Sequence, residues 1–432
     1  MRKGRGEAGE TVTGGRAATV RHVFGERVLS ICMPNGKDHP KGWRWVALSD
    51  VAQMESGHTP SRNHPEYWGG DIPWISVKDA RLAHGKRLSE TEEYTNSLGI
   101  ANSSARLLPE GTVCLSRGGT VGYVVILDKP MATSQGFANW ICGPQLVPQF
   151  LQYLLLAEAE SLEKFSIGTT IKTIYYPDLK AFHVCLPPLA EQKRIVALLD
   201  EAFAGIDEAK AKAEANLENA GSLFNNLREC LMKEPEADVP SHGFDEICKI
   251  NSVLVDPREE ENANKLHVGG ANIESKTGRL LDLQTARQEG LKSGKFPFEK
   301  GMVLYSKIRP NLMKVARPNF GGLCSADMYP LDPNKALICG DYLYHLLLTE
   351  RFTRFALLGS ERAGMPKVNR DYLSKFATKL PTVHEQKTLA MKLDSMEQAL
   401  GELRELLTVK ISSLTELKSS LLAKAYAGEL TA

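Results

Sequence analysis

Residues 188–206 read PLAEQKRIVALLDEAFAGI, and residues 381–400 read PTVHEQKTLAMKLDSMEQAL. Each begins with proline, reaches a Glu-Gln-Lys triplet and turns into an apolar-periodic run whose first turns close on Leu-Asp, at Leu199-Asp200 and Leu393-Asp394. Lys193 and Lys387 lie 194 residues apart. In the first run the apolar positions are Ile195, Leu199, Ala202, Ile206, Ala209, Ala213, Leu217, Ala220, Phe224, Leu227 and Leu231. Steps of mostly three and four residues make a coiled-coil seam. The same offset lands on Leu389, Leu393, Met396, Leu400, Leu403, Leu407, Ile411, Leu414, Lys418, Leu421 and Ala425, of which only Lys418 is not apolar. Register held over so many turns identifies two long helices of one kind.

Each helix is about 45 residues, or roughly 65 Å at the α-helical rise. Proline suits both entrances; the first helix is expected to end near Glu234-Pro235 and the second at Gly428. A helix this long with one apolar stripe needs a partner in water. The economical partner is the other copy, packed antiparallel; the alternatives are the neighbouring domain or a helix of another chain.

The segments ahead of the helices correspond too. GTVCLSR (111–117) matches GMVLYSK (301–307), QYLLL (152–156) resembles YHLLL (344–348), IYYPDL (174–179) aligns with VNRDYL (368–373), and LSDVAQM (48–54) resembles FDEICKI (244–250). The expected organisation is an extension at 1–42, globular parts at 43–186 and 237–380, and long helices at 187–236 and 381–432. Short β-branched and aromatic runs such as VGYVVIL, IPWISV and FHVCL predict strands. PQFLQYLLLAEAESLEKF (148–165) and DYLYHLLLTERFTRFALL (341–358) predict helices. The mixture is α+β rather than doubly wound α/β. The Gly- and Arg-rich first 40 residues have weak periodicity, which predicts disorder; Met33 is an alternative start.

A chain of 432 residues predicts two or three domains. With 53 basic and 52 acidic residues, net charge favours no partner class, so only local patches can. There is no run of about 18 apolar residues that would predict a membrane span, and no apolar signal core near the N-terminus. The eight cysteines are scattered without CxxC or zinc-finger spacing, as expected of reduced thiols in a cytoplasmic protein.

Enzyme signatures are missing. GLKSGKF (290–296) has the wrong spacing for a phosphate loop, no strand leads into a Gly-rich dinucleotide turn, and HExxH, GxSxG and kinase motifs are absent. A nuclease pattern forced onto Asp178 and Glu208-Ala209-Lys210 fails, because side chains two apart on a helix face different ways. No metal ligand set is expected.

What remains is binding chemistry. Serine, threonine and backbone amides bind phosphate oxygens, arginine and lysine bind phosphates or guanine edges, and asparagine and glutamine read adenine. In the first globular part the candidates are Thr59 and Arg62 in GHTPSRNHPEYWGG, Lys78, Arg117 and Thr120 in SRGGTVG, Ser134 and Gln135 in ATSQGFANW, and Thr169, Thr170 and Lys172 in IGTTIKTIYY. In the second, residues 295–317 carry Lys295, Lys300, Lys307, Arg309, Lys314 and Arg317 against Glu299 alone. Its candidates are Lys307, Arg309, Asn311 and Lys314, with Arg362, Lys367 and Asn369 from GSERAGMPKVNR. Taken singly, any of these loops reads as solvated surface; recurrence at matched positions argues for a shared binding face.

GHTPSRNHPEYWGGDIPWISVKD, SRGGTVG, SQGFANW, GTTIKTIYYPDLKAFHVCLPPLAEQKRI and LPTVHEQK together resemble the specificity subunits of type I restriction–modification systems, from about residue 43 to the C-terminus. The resemblance implies two pseudo-repeated target-recognition domains separated by two long antiparallel coiled-coil helices. It implies a chain without catalytic activity, each domain reading one half of a split, asymmetric double-stranded DNA site across a gap set by the helices. Partners would be two methyltransferase subunits and restriction subunits. S-adenosylmethionine, ATP and Mg would sit on those partners, and no cofactor on this chain. HVGGANI stands where IPWISVKD stood, and KIRPNLMK where RGGTVG stood, which implies different half-sequences. The competing readings are a coiled-coil scaffold that does not bind DNA, and a stand-alone enzyme.

Overall fold

The computed structural model describes residues 40–159, 162–163, 166, 168, 172–180, 182–236, 238–360 and 366–430. The N-terminal extension, apart from residues 40–42, lies outside them, as does Met33. The chain forms two compact units, Met1–Lys212 with Lys410–Ala432, and Ala213–Val409. This division differs from the sequence-based one, because each unit takes a globular part together with one end of each long helix.

In the first unit a five-stranded sheet runs in the order Ala52–Ser56, Phe137–Cys142, Val113–Ser116, Val124–Leu127, Arg87–Leu88. Val113–Leu115 and Val124–Leu127 are buried on both faces, which is why they read as unbroken apolar runs rather than alternations. Val113, Leu115, Val124 and Ile126 face the helix Pro148–Ala157 through Phe150, Leu151 and Leu154. Cys114, Val125 and Leu127 point the other way, into a second core with Ile75 and Phe137. A three-stranded sheet, Glu93–Thr95, Trp68–Ile75, Ala132–Thr133, lies beyond.

The second unit repeats this plan. A four-stranded sheet runs Cys248–Ile250, Met328–Pro333, Val303–Ser306, Val315–Ala316. Val303 and Tyr305 pack toward Leu343, Leu347 and Phe352, while Leu304 and Met328 fill the opposite core with Val268 and Phe298. The predicted helix over 341–358 is two helices, Gly340–Leu347 and Glu350–Leu358. Thr349 separates them: its hydroxyl donates back to the Leu346 carbonyl and accepts from the Phe352 amide, capping the second helix.

The long helices span Leu189–Leu231 and Val383–Tyr426. The second opens on a capping box in which Thr382 and Glu385 satisfy each other's amides. The glutamine of each Glu-Gln-Lys triplet is fully buried. Gln192 accepts from the Val147 amide and donates to the Gln145 and Pro187 carbonyls. Gln386 accepts from the Cys339 amide and donates to the Leu337 and Pro381 carbonyls. Each amide stitches the start of a long helix to the loop leading into the domain helix. Leaving those buried groups unpaired costs about 1–3 kcal/mol apiece, so the triplet is a structural staple written twice.

In the first unit the start of one long helix packs against the end of the other. Ile195, Leu199, Phe203 and Ile206 share a core with Leu422, Ala425 and Tyr426, and Leu414 and Leu421 pack at its edge. Tyr426 donates to the Phe150 carbonyl at 2.7 Å. Lys418, the polar break in the second seam, pairs with Asp207 at 3.0 Å and lies over the Phe203 ring. In the second unit, Phe224 and Met232 meet Leu393, with Leu389 and Leu400 alongside. Start against end in both units makes the pairing antiparallel and within one chain. Leu407 is buried and Leu217 half-buried. The seam departs from the apolar pattern at Leu227, which is 36% exposed, while Arg228 beside it is 1% exposed. Arg228 occupies the seam because Glu397 lies 3.5 Å from its guanidinium and the Phe224 ring beneath it.

Candidate nucleic-acid interface

Both units build the same clasp. In the first, the loop after strand Val113–Ser116 pairs antiparallel with residues 172–173, Gly118 opposite Thr173 and Gly119 opposite Lys172. In the second, Ile308 after strand Val303–Ser306 bridges Lys367. The flanking backbone bonds match as well. The Ile174 amide donates to the Arg117 carbonyl, and the Val368 amide to that of Lys307. The Arg117 amide reaches the Gly136 carbonyl, and the Lys307 amide that of Asp327. A third loop is thereby drawn into each clasp.

A cation on an aromatic ring fills each clasp. Arg117 lies 4.0 Å over Tyr176 and donates to the Ile174 carbonyl at 3.1 Å, leaving its buried Nε without a partner among the described residues. Lys307 lies 5.0 Å from the Tyr329 ring and donates to the Ala326 carbonyl. Burial, then the nearby Lys367, lowers the Lys307 pKa. These two side chains hold loops together.

The other candidates divide into tied and open groups. In the first unit Thr59 donates to Gln135, joining two loops, and Ser134 is buried beside them. Arg62 forms a bidentate pair with Glu93 at 2.5 and 2.7 Å and stacks on Trp68, and the bonds to Glu93 raise its pKa. Lys78 pairs with Glu92 and Lys172 with Glu163, both at the surface. Thr120 is exposed. His58, Thr59, Ser61, Asn102, Ser103 and Ser104 line an open polar cleft of about 560 Å³.

In the second unit the basic run is largely spent on structure. Lys295 is buried against Ser293. Lys314 donates to the Gly270 carbonyl. Arg317 pairs with Asp341 and Asp394. Asn369 caps the helix Arg370–Leu373 through the Tyr372 amide. Lys367 stands 4.0 Å from Asp327, and Arg309 and Asn311 are exposed. Thr169, Thr170 and Arg362 lie outside the described residues.

The pattern reading missed the junctions that position these loops. His345 donates through Nε2 to Asp394 at 2.8 Å, and Tyr153 donates to Asp200. Each joins a domain helix to the Leu-Asp turn of a long helix, and the repeated Leu-Asp was the available signal. His345, Asp394 and Glu397 place ligand atoms within 4.8 Å of one another. Arg317 and Arg228 already engage the two carboxylates, so the cluster is an ion-pair network rather than an open donor set.

The sequence pattern of the family described as Type I restriction modification DNA specificity domain matches residues 40–219 and 244–411. The type I restriction enzyme EcoDI specificity subunit of Escherichia coli is 29% identical over 428 residues, spanning 91% of this chain and 90% of that protein. The MjaIX specificity subunit of Methanocaldococcus jannaschii is 34% identical over 190 residues, 43% of this chain and 44% of its own. A structure solved for complex assembly and conformational transition of the type I R-M system superposes with a TM-score of 0.72 at 19% identity, covering 91% of this chain and 100% of that one. An HsdS subunit from Thermoanaerobacter tengcongensis superposes at 0.55, also at 19% identity, covering 92% and 99%. These structural likenesses concern the fold.

Proposed function

Because this chain belongs to the type I restriction–modification DNA specificity family, we propose that it reads a bipartite, asymmetric site on double-stranded DNA and catalyses nothing itself. One observation carries the reading: the same clasp, in the same register, is built twice and dressed differently. Where the first unit has Gly118, Gly119 and Thr173, the second has Ile308, Arg309 and Lys367 at the matching positions. Conserved backbone with exchanged side chains is what two readers of different half-sequences require, since backbone contacts position a protein on the duplex and side chains at base edges specify sequence.

The antiparallel helix pair then acts as a spacer between half-sites, two methyltransferase subunits and the restriction subunits dock on the chain, and S-adenosylmethionine, ATP and Mg belong to those partners. An adenine inside a duplex is out of reach of chemistry, so the methyltransferase flips it. The whole assembly works in the cytoplasm. Among the described residues no helix is long and apolar enough to cross a membrane.

Selection of randomised duplexes by the full chain, co-expressed with its methyltransferase, tests this. The expected motif is split and asymmetric, with the logarithm of the binding constant falling linearly with the logarithm of the salt concentration. No enriched motif, or salt-insensitive binding, supports the scaffold reading instead.

A further inference from the structure

Arg309 sits in the left-handed region, φ 49° and ψ 66°, directly before Pro310. Both features are unfavourable: a Cβ crowds the carbonyl there, and a residue preceding proline is pushed toward extended backbone. The matching position in the first unit is Gly119, also left-handed at φ 84° and exposed. The clasp therefore demands this conformation in both units. The first meets it with the residue that adopts it freely, and the second holds an arginine in it.

Packing does not explain the arginine. Its side chain is exposed and makes no ion pair or hydrogen bond among the described residues. Its neighbours are cations: Lys307 and Arg370 against the Tyr329 ring, and Lys367 opposite Ile308. Asp327 is the carboxylate paired within the group, 4.0 Å from Lys367. The backbone origin is pinned on both sides, by the bond from the Arg309 amide to the Pro366 carbonyl at 2.9 Å and by the turn Pro310–Leu312. Strain kept where a glycine would serve points to a use for the side chain.

We infer that Arg309 is the specificity-determining residue of the second unit, its guanidinium fork reading the O6 and N7 edge of a guanine in that unit's half-site. This rests on the DNA-recognition reading. A rigid fork on a fixed turn suits bidentate base contact, whereas phosphate contacts tolerate a mobile ammonium. Lys307 is the positioning residue beneath it, and Lys367 and Arg370 supply the positive surround.

Arg309→Gly separates the roles, because it relieves the strained backbone while deleting the fork. The full chain with its methyltransferase is subjected to duplex selection alongside Arg309→Gly and Arg309→Lys. The expected result is a melting temperature at or above the parent, loss of preference at one guanine of one half-site by at least tenfold, and no change in the other half-site. Arg309→Lys recovers part of the affinity but not the preference. A uniform loss across all sequences, with the salt slope reduced by about one, would make Arg309 a phosphate contact and overturn the inference. So would an unchanged motif. If the parent itself enriches no motif, the recognition reading falls first and this inference with it.

Discussion

Tyr153 bonds Asp200 in the first unit, and His345 bonds Asp394 in the second. The backbone geometry is shared, a domain helix tied to the Leu-Asp turn of a long helix, but the chemistry around it is not. In the first unit the phenol meets an exposed carboxylate and packs edge-on against Phe203. Burial, with Asp200 beside it, pushes the Tyr153 pKa well up, so the phenol stays a neutral donor throughout the physiological range. In the second unit Glu397 stands where Phe203 does, and an ionic network of Arg228, Arg317, Asp394 and Glu397 surrounds the imidazole. Burial lowers the Arg228 pKa and raises that of Glu397. Against the burial of Asp394, bonds from His345 and Arg317 hold it at about 2. One scaffold thus carries a junction built on a phenol and an aromatic ring and one built on an imidazole in an ionic network, and the two should fail under different conditions.

The largest difference is expected on neutralising the two aspartates. Asp394→Asn forfeits a carboxylate whose pKa has fallen from 3.8 to about 2, a loss of about 2 kcal/mol by linkage. Asp200→Asn keeps a hydrogen-bond acceptor for Tyr153 and should cost below about 1 kcal/mol. Hydrogen exchange at Gly340–Leu347 and Pro148–Ala157, respectively, reads each junction locally; equal losses would erase the distinction between them.

A smaller effect concerns pH. Burial lowers the His345 pKa below its ordinary 6.5, so the stability it contributes is present above that value and is lost as pH falls through the lower, folded value. Asp394 acts with the same sign but only between about pH 4 and its folded pKa of about 2. Glu397, raised by burial, works oppositely and gains from protonation. His84 in the first unit is also lowered by burial, so the comparison is made within one unit. Protection at Gly340–Leu347 should drop between pH 7 and pH 5 in the parent and drop less in His345→Gln. Identical profiles would remove the imidazole from the account.

The fold was legible wherever burial and periodicity coincide. The offset between Lys193 and Lys387 carried the helix pair, and unbroken runs such as Val124–Leu127 carried the central strands. The departures have specific causes. Arg228 lies in the seam because a carboxylate on the facing helix and an aromatic ring accommodate it, and no pattern on one helix reveals its partner. Gln192 and Gln386 look like solvated helix residues until the loop amides they satisfy are in view. Of the candidate interface, the clasp loops were legible from their recurrence. Within the basic run over 295–317, Lys314 and Arg317 are held by groups distant in sequence, which no local pattern reveals, and Lys295 is buried against Ser293.

In the proposed function, two differently dressed readers bind half-sites whose gap is set by the paired helices. Inserting one heptad into each long helix, in register across the pair and away from the glutamine and aspartate ties, tests it most directly. Methylome sequencing of cells expressing that variant with the cognate methyltransferase should show both half-sites unchanged and the gap between them altered. Altered half-sites with an unchanged gap would contradict the account.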